Sequence, residues 1–380
     1  MNKKDNKLLV LVLLLILWIF LIVLINKLST YFIFDRTSYE IPYSYNANIW
    51  HKSLLMPFLN FDGRNYLDIA ERGYFNKGVY NLHAFFPLYP LMVRYFSYFT
   101  GINSVYSGLL LSFSFFFVGV YLFYLLMKDI KFAKPFKVLS FLIFFPTSVF
   151  FLSFYTESLF FLLVVVFFLL MNKRRYFLSS LIAALSSAVR INGLSLFPVL
   201  LFSAYESFKK EGKLNFSFII SPFGFLGYCL FLFITTGNPF EMISSQISSW
   251  NKPLGLLAPF YLLRQVFLNL LSGPLKSYDN VFVYPVIILE FLFLLFFAWA
   301  IVFSYNKIKM DYWIFMLANF LIVIFSGSIA SLPRYMLVIF PLHLFLADFL
   351  SPRISRVYFL FSFVLFVFFS SLFLRGYFIS

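Results

Sequence analysis

Apolar runs recur along nearly the whole chain, and they limit what it can fold into more than any other feature. They fall at 8–26, 104–127, 138–154, 157–171, 177–191, 193–206, 214–235, 281–304, 312–329, 333–350 and 357–374. A helix needs roughly 17 to 25 such residues to cross the hydrocarbon core, so these runs predict an all-α polytopic membrane protein of about eleven transmembrane helices. Helices are required because lipid offers nothing for unsatisfied backbone groups to bond. Composition agrees: 62% of the 380 residues are hydrophobic and only 12% charged, against roughly half and a quarter in soluble domains.

The basic residues test the topology. The net charge of +15 would suggest nucleic acid in a soluble protein, but here the lysines and arginines cluster in short turns between apolar runs. Lys3/Lys4/Lys7, Lys128/Lys131/Lys134/Lys137, Lys173/Arg174/Arg175, Lys209/Lys210/Lys213, Lys307/Lys309 and Arg353/Arg356 all fall on one side, which the positive-inside rule makes cytoplasmic, together with the N-terminus. No nucleic-acid partner is expected. The first run has a basic flank but no small-residue cleavage pattern after it, so it reads as an uncleaved span. Two further runs, Phe85 to Phe99 and Leu257 to Leu271, carry Arg94 and Arg264 near their middles; both read as interfacial or re-entrant helices. The whole of 1–380 is then a single integral membrane domain, with a first extracytoplasmic loop at 27–103 and a second large outer segment at 236–280. The lone Cys229 permits no internal disulfide.

Chemistry is expected in the first loop, where Asn60 to Tyr98 gathers Asp62, Arg64, Asp68, Glu71, Arg72, Lys77, His83 and Arg94. Gly63 to Arg72 patterns as an amphipathic surface helix, with Tyr66, Ile69 and Ala70 on one side and Gly73 as its stop. Asp62 stands at the expected N-cap, which is one explanation of it; the other is a general base at the water–lipid boundary.

Further candidates lie at the predicted outer ends of spans. Glu157 is either a cap-region acid or a second carboxylate on the side of Asp62. Arg190 with Asn192, and Arg334, break apolar runs where an arginine either snorkels to headgroups or faces a polar partner such as phosphate. Gln246 and Trp250 occupy the second outer segment, where a tryptophan can stack on a sugar or simply sit in the interfacial belt. Glu290, deep in the eighth run, is the acid a transporter would use. His51, His83 and His343 show no paired ligand spacing, and the sequence leaves a divalent metal open.

In order along the chain, FDGRNYLDIAERGY, HAFFPLYPLMVRYF, FPTSVFFLSFYTESLF, SAVRINGL, TGNPFEMISSQISSW and LPRYMLVIFPL resemble the PIG-V type of mannosyltransferases, in particular their prokaryotic relatives, within the GT-C class. The similarity spans about Asn60 to Pro341. The family's Trp-Asp pair matches at Asp62, with Phe61 in place of the tryptophan and Asn65 where relatives often have Trp.

The resemblance implies a GT-C fold in a prokaryotic plasma membrane, with surface helices and an essential acid in the first outer loop. It implies a mannose donor on polyprenyl or dolichyl phosphate, a glycan, glycolipid or protein acceptor, and inversion at the sugar. Asp62 would be the base, and Arg190 and Arg334 would hold the donor phosphate. Glu157, Asn192, Gln246, Trp250, Tyr66 and His83 would line the substrate. The competing expectation is a flippase or transporter of a lipid-linked saccharide centred on Glu290, which calls for polar groups at mid-membrane on several spans.

Overall fold

The computed structural model describes residues 3–36, 54–74, 81–212, 215–250, 255, 257–272 and 283–379, and all regular structure among them is helical. His51 and Lys77 lie outside the described residues. Five helices are long and apolar enough to cross a membrane: Lys7–Phe32, Ser104–Asp129, Phe216–Thr236, Val286–Ser304 and Pro352–Leu374. Glu157–Asn172, Tyr176–Val189, Met310–Phe325 and Phe340–Phe349 are apolar but shorter. The outermost helices show why such a chain needs lipid. The first helix, α1 (Lys3–Phe32), buries Leu11, Leu15, Trp18 and Ile22 while exposing Leu13, Ile16, Leu17 and Phe20. An apolar stripe of that length turned away from the protein is suited to acyl chains, not water. The chain is a membrane protein whose described residues form only helices and the turns between them.

The first loop folds as its pattern predicts. Helix α2 (Asp62–Arg72) buries Tyr66, Leu67, Ile69 and Ala70, and Gly73 ends it at φ 79°. Helix α3 (Leu88–Thr100) packs across α2. Its Arg94 donates from Nε to Ala70 O (2.6 Å) and from Nη2 to Ile69 O (2.9 Å). This cation on the last carbonyls of the helix supplies a donor to Ala70 O, adds a second to Ile69 O, which already accepts from Gly73 N–H, and opposes the negative end of the dipole. The charge that looked costly in an apolar run therefore caps its neighbour.

Helix α4 (Ser104–Asp129) then packs on α6 (Glu157–Asn172), and α6 on α7 (Tyr176–Val189). The run at 138–154 is not one helix. Helix α5 (Pro135–Ile143) stops before Pro146, and a 3-10 turn, Ser148–Phe151, follows. Nearly everything from Phe141 to Phe161 is buried, so this irregular backbone must find partners inside the protein. It does: Ser148 N–H donates to Phe145 O (2.9 Å), Leu152 N–H to Val149 O (3.0 Å) and Phe154 N–H across to Phe58 O (3.0 Å), while two side chains tie the segment down, Thr147 Oγ1 donating to Pro333 O (3.1 Å) and Ser148 Oγ accepting from Trp18 Nε1 (3.2 Å).

Beyond α7, a 3-10 turn, Ile191–Ser195, leads into α8 (Leu196–Glu211), and α9 (Phe223–Thr236) packs back on α7. Helices α10 (Glu241–Trp250), α11 (Ala258–Ser272), α12 (Val283–Ser304) and α13 (Met310–Phe325) follow. The run at 333–350 also breaks, into α14 (Leu332–Leu337) and α15 (Phe340–Phe349), because Pro341 cannot continue the earlier helix. Helix α16 (Pro352–Leu374) closes the fold against α1.

Gly193 makes one close approach that the site depends on. A Cβ there would run into the backbone of Ser186 and Ser187 on α7. Gly193→Ala is expected to cost about 1–3 kcal/mol as overpacking, read as a lower melting temperature of the purified protein in detergent. An unchanged melting temperature would mean that the turn after Arg190 can widen freely.

Candidate active site at a buried ion-pair array

Four chain segments converge on two arginines and two carboxylates. Arg334, on α14, places Nη1 2.9 Å from Asp62 Oδ2 at the start of α2. Its Nε lies 3.2 Å from Glu157 Oε1 at the start of α6, an ionic contact off the hydrogen-bond direction. Arg190, at the end of α7, donates from Nη1 to the same Oε1 at 3.1 Å. Glu157 thus serves two guanidinium groups through one oxygen, while its Oε2 is buried without a hydrogen-bond partner. Asp62 and Glu157 balance Arg190 and Arg334 in formal charge.

Aromatic rings wall in the arginines. Arg334 lies 5.3 Å from the ring centroids of both Phe150 and Tyr155, and Arg190 lies 5.0 Å from Tyr335 and 5.5 Å from Phe160. Guanidinium groups tolerate such surroundings because they are weakly hydrated and attracted to ring faces. The buried irregular segment before α6 carries Phe150, Tyr155 and Glu157 into this position, which is what its unusual backbone accomplishes.

The two carboxylates differ in access. The Glu157 side chain is 1% exposed and that of Asp62 22%, with Arg190 and Arg334 near 10%. Asp62 is the acid an incoming molecule can reach; Glu157 holds the arginines.

The expectation that Asp62 caps α2 needs correction. Phe61 is the cap residue, with φ 57° and ψ −118°, and Asp62 is the first helical residue. A non-glycine residue there costs on the order of 1–3 kcal/mol of backbone strain. The Asp62 carboxylate is turned away from the backbone N–H groups a cap would satisfy and meets Arg334 instead. Glu157 likewise caps nothing; Thr156 is the cap residue of α6 and makes no side-chain cap bond.

Tyr66 lies beneath Asp62, with its ring edge-on to Phe85, Tyr89 and Tyr155. Burial raises its phenol pKa well above the usual value, and the Asp62 and Glu157 carboxylates push the same way, so it stays a neutral hydroxyl. Asn192 is adjacent in sequence to the array but is engaged elsewhere. Its Nδ2 donates to Asn319 Oδ1 (3.1 Å), and Asn319 donates to Ser195 Oγ (2.9 Å), tying the turn after Arg190 to α13.

His83 belongs to a separate junction. Its Nδ1 is 2.6 Å from Asn81 Oδ1, and its ring stacks on Tyr74 at 5.4 Å. Asn81 Nδ2 donates to Glu241 Oε1 (2.9 Å), so this junction joins the first loop to α10. Burial lowers the His83 pKa, with Glu241 opposing, and favours the neutral ring. Gln246 is half-buried on α10, and the side chain of Trp250 lies outside the described residues. Glu290 is buried on α12. Among the described residues no group of three or more His, Cys, Asp or Glu side chains could hold a metal ion.

Sequence reasoning missed Tyr155, whose hydroxyl donates to Asn60 O (2.7 Å), and Phe150 and Tyr335. In a chain that is 24% aromatic, nothing singles out the rings that touch charge.

A membrane-embedded helical protein that keeps ionised groups in contact among converging helix ends has the makings of a membrane enzyme, since such charges are costly and mark function. The comparison with known families identifies which. The model of the mannosyltransferase (PIG-V) family matches residues 6–238, more than half of the chain, and the chain belongs to that family. It is therefore a glycosyltransferase of the mannosyltransferase type. The matched region contains Asp62, Tyr66, His83, Glu157, Arg190 and Asn192, while Gln246, Trp250 and Arg334 lie beyond it. Among curated proteins none matches the chain.

Proposed function

We propose that the protein transfers a sugar, mannose, from a polyprenyl- or dolichyl-phosphate donor to an acceptor on the extracytoplasmic face of a prokaryotic plasma membrane, using the GT-C architecture. In this reading the chain crosses the membrane eleven times with its N-terminus in the cytoplasm, and α2, α3 and α11 lie at or re-enter the outer surface. The basic turns on one side and the substantial loops on the other support that arrangement.

The observation that carries the chemistry is the contact between Asp62 and Arg334. It joins a reachable base to a phosphate-binding cation, which is what a transfer with a phosphate leaving group requires. Asp62 takes the proton from the acceptor hydroxyl as its oxygen attacks the anomeric carbon. The bond from that carbon to the phosphate oxygen breaks, and the electron pair leaves with the lipid phosphate. A single displacement of this kind inverts the anomeric centre. The departing phosphate gains one negative charge, and Arg334 and Arg190 are the cations beside it. A guanidinium has five N–H donors; Arg334 turns two nitrogens and Arg190 one toward the carboxylates, so further donors exist for phosphate oxygens. Sugar and acceptor would lie on the side of Asp62 that carries Tyr66 and the junction of His83 with α10, which bears Gln246 and Trp250, while Glu157 acts from behind by holding the two arginines.

The test offers the purified protein, in lipid, labelled polyprenyl-phosphate mannose in one reaction and a nucleotide-mannose in another, with a crude lipid extract as acceptor. Transfer is expected from the lipid donor alone. Transfer from the nucleotide sugar would overturn the donor assignment, and no transfer from either would favour saccharide transport, with Glu290 as the residue to examine.

A further inference from the structure

The backbone of Phe61, at φ 57° and ψ −118°, has the geometry of the first central residue of a type II′ turn, where glycine is the usual occupant. Gly63 N–H closes the turn by donating to Asn60 O (3.3 Å). A glycine would adopt this conformation unstrained, yet the chain places a phenylalanine here, directly before Asp62. The ring has something to hold. It lies 6.3 Å from Phe373 and edge-on to Phe378 at 5.4 Å. The preceding residue is fixed at the same place, with Asn60 Nδ2 donating to Phe373 O (2.7 Å) and Tyr155 Oη donating to Asn60 O (2.7 Å).

We propose that Phe61 is a positioning residue for Asp62: its ring, wedged against Phe373 in the last turn of α16 and Phe378 just beyond that helix, holds the type II′ turn that delivers the Asp62 carboxylate to Arg334. If the chain entered α2 in ordinary cap geometry, the acid would turn toward the backbone N–H groups of its own helix, as a short carboxylate there does. The turn moves it one position into the helix and aims it across to a residue 272 positions away. The strained backbone persists because bonds and packing on both sides of it over-determine the conformation.

The aiming can be tested without activity. Asp62→Ala, Arg334→Gln and the two together are melted in the native background and again with Phe61→Leu. In the native background the double substitution is expected to shift the melting temperature by less than the sum of the singles, because the two side chains are partners. With Phe61→Leu the shifts become additive. Equal non-additivity in both backgrounds overturns the proposal. Where Phe61→Leu fails to fold, Phe378→Ala, which removes only the far ring, takes its place with the same readings.

The catalytic consequence rests on the transferase reading. In the lipid-donor assay Phe61→Leu is expected to lower kcat by about 10- to 100-fold with KM for the donor unchanged, as misplacement of a catalytic group does, and Phe61→Trp to restore most of it. A native kcat in Phe61→Leu overturns the proposal. Absence of transfer by the unsubstituted protein overturns the transferase reading instead, and the melting cycle still decides whether Phe61 aims Asp62.

Discussion

Asp62→Asn is expected to reduce sugar transfer by roughly 10²- to 10⁴-fold, the range that a positioned general base contributes, in a protein that remains folded. The substitution is close to isosteric, so the turn at Phe61 and the packing of α2 are kept. The amide oxygen can still accept from Arg334 Nη1, now 2.9 Å from Asp62 Oδ2, and Arg334 retains Glu157 as counter-ion. What is lost is the ability to take a proton. Melting temperature and KM for the lipid donor should therefore move little while kcat falls. Near-normal turnover would reduce Asp62 to a structural partner of Arg334 and would leave Glu157 as the remaining carboxylate of the array, at 1% exposure a poor candidate to meet an acceptor.

Much of this site was legible in the sequence as a set of suspects, and none of it as contacts. Asp62, Glu157, Arg190 and Arg334 were assigned to one side because basic turns fixed the other, and the structure brings all four into contact. Their pairing could not be read, since Asp62 in the first loop and Arg334 in a late apolar run are separated by a length of chain that carries no register, unlike residues three or four apart on a helix. The cap assignment of Asp62 failed for a local reason: residue type favours a cap, but a positive φ at Phe61, held by Phe373, Phe378 and Tyr155, overrides it.

Hydropathy misread the runs at 138–154 and 333–350 as continuous for a similar cause. An apolar stretch looks the same whether its backbone bonds are all local or, as at Phe154, reach across to Phe58, and whether or not a hydroxyl such as that of Thr147 is tied to Pro333. Arg94 stands out in its apolar run, but its targets, the carbonyls of Ile69 and Ala70, belong to a different element. Arg375 carries no such signal in the sequence. It is buried near the end of the chain, with Nη2 2.7 Å from Asn26 Oδ1, and a single basic residue after an apolar run reads as topology.

Glu157 should be the residue on which the folded site depends most. Glu157→Leu leaves Arg190 without its one carboxylate contact and Arg334 with Asp62 alone, both walled by aromatic rings. Removing one partner of a buried ionic group typically costs about 3–5 kcal/mol, because the charge left behind is desolvated and uncompensated. The expected result is a large fall in melting temperature or failure to accumulate. The cost lies in the orphaned cation and not in the lost attraction, so deleting that cation should undo it. Glu157→Leu with Arg190→Met leaves the balanced pair of Asp62 and Arg334 in an apolar setting of similar volume, and its melting temperature should return close to native. Transfer should stay impaired, since a phosphate-binding cation has gone. Recovery of stability without activity would separate what the array contributes to folding from what it contributes to the reaction. A double variant as unstable as Glu157→Leu would instead mean that Glu157 acts through packing at the start of α6, not as the shared counter-ion of two arginines.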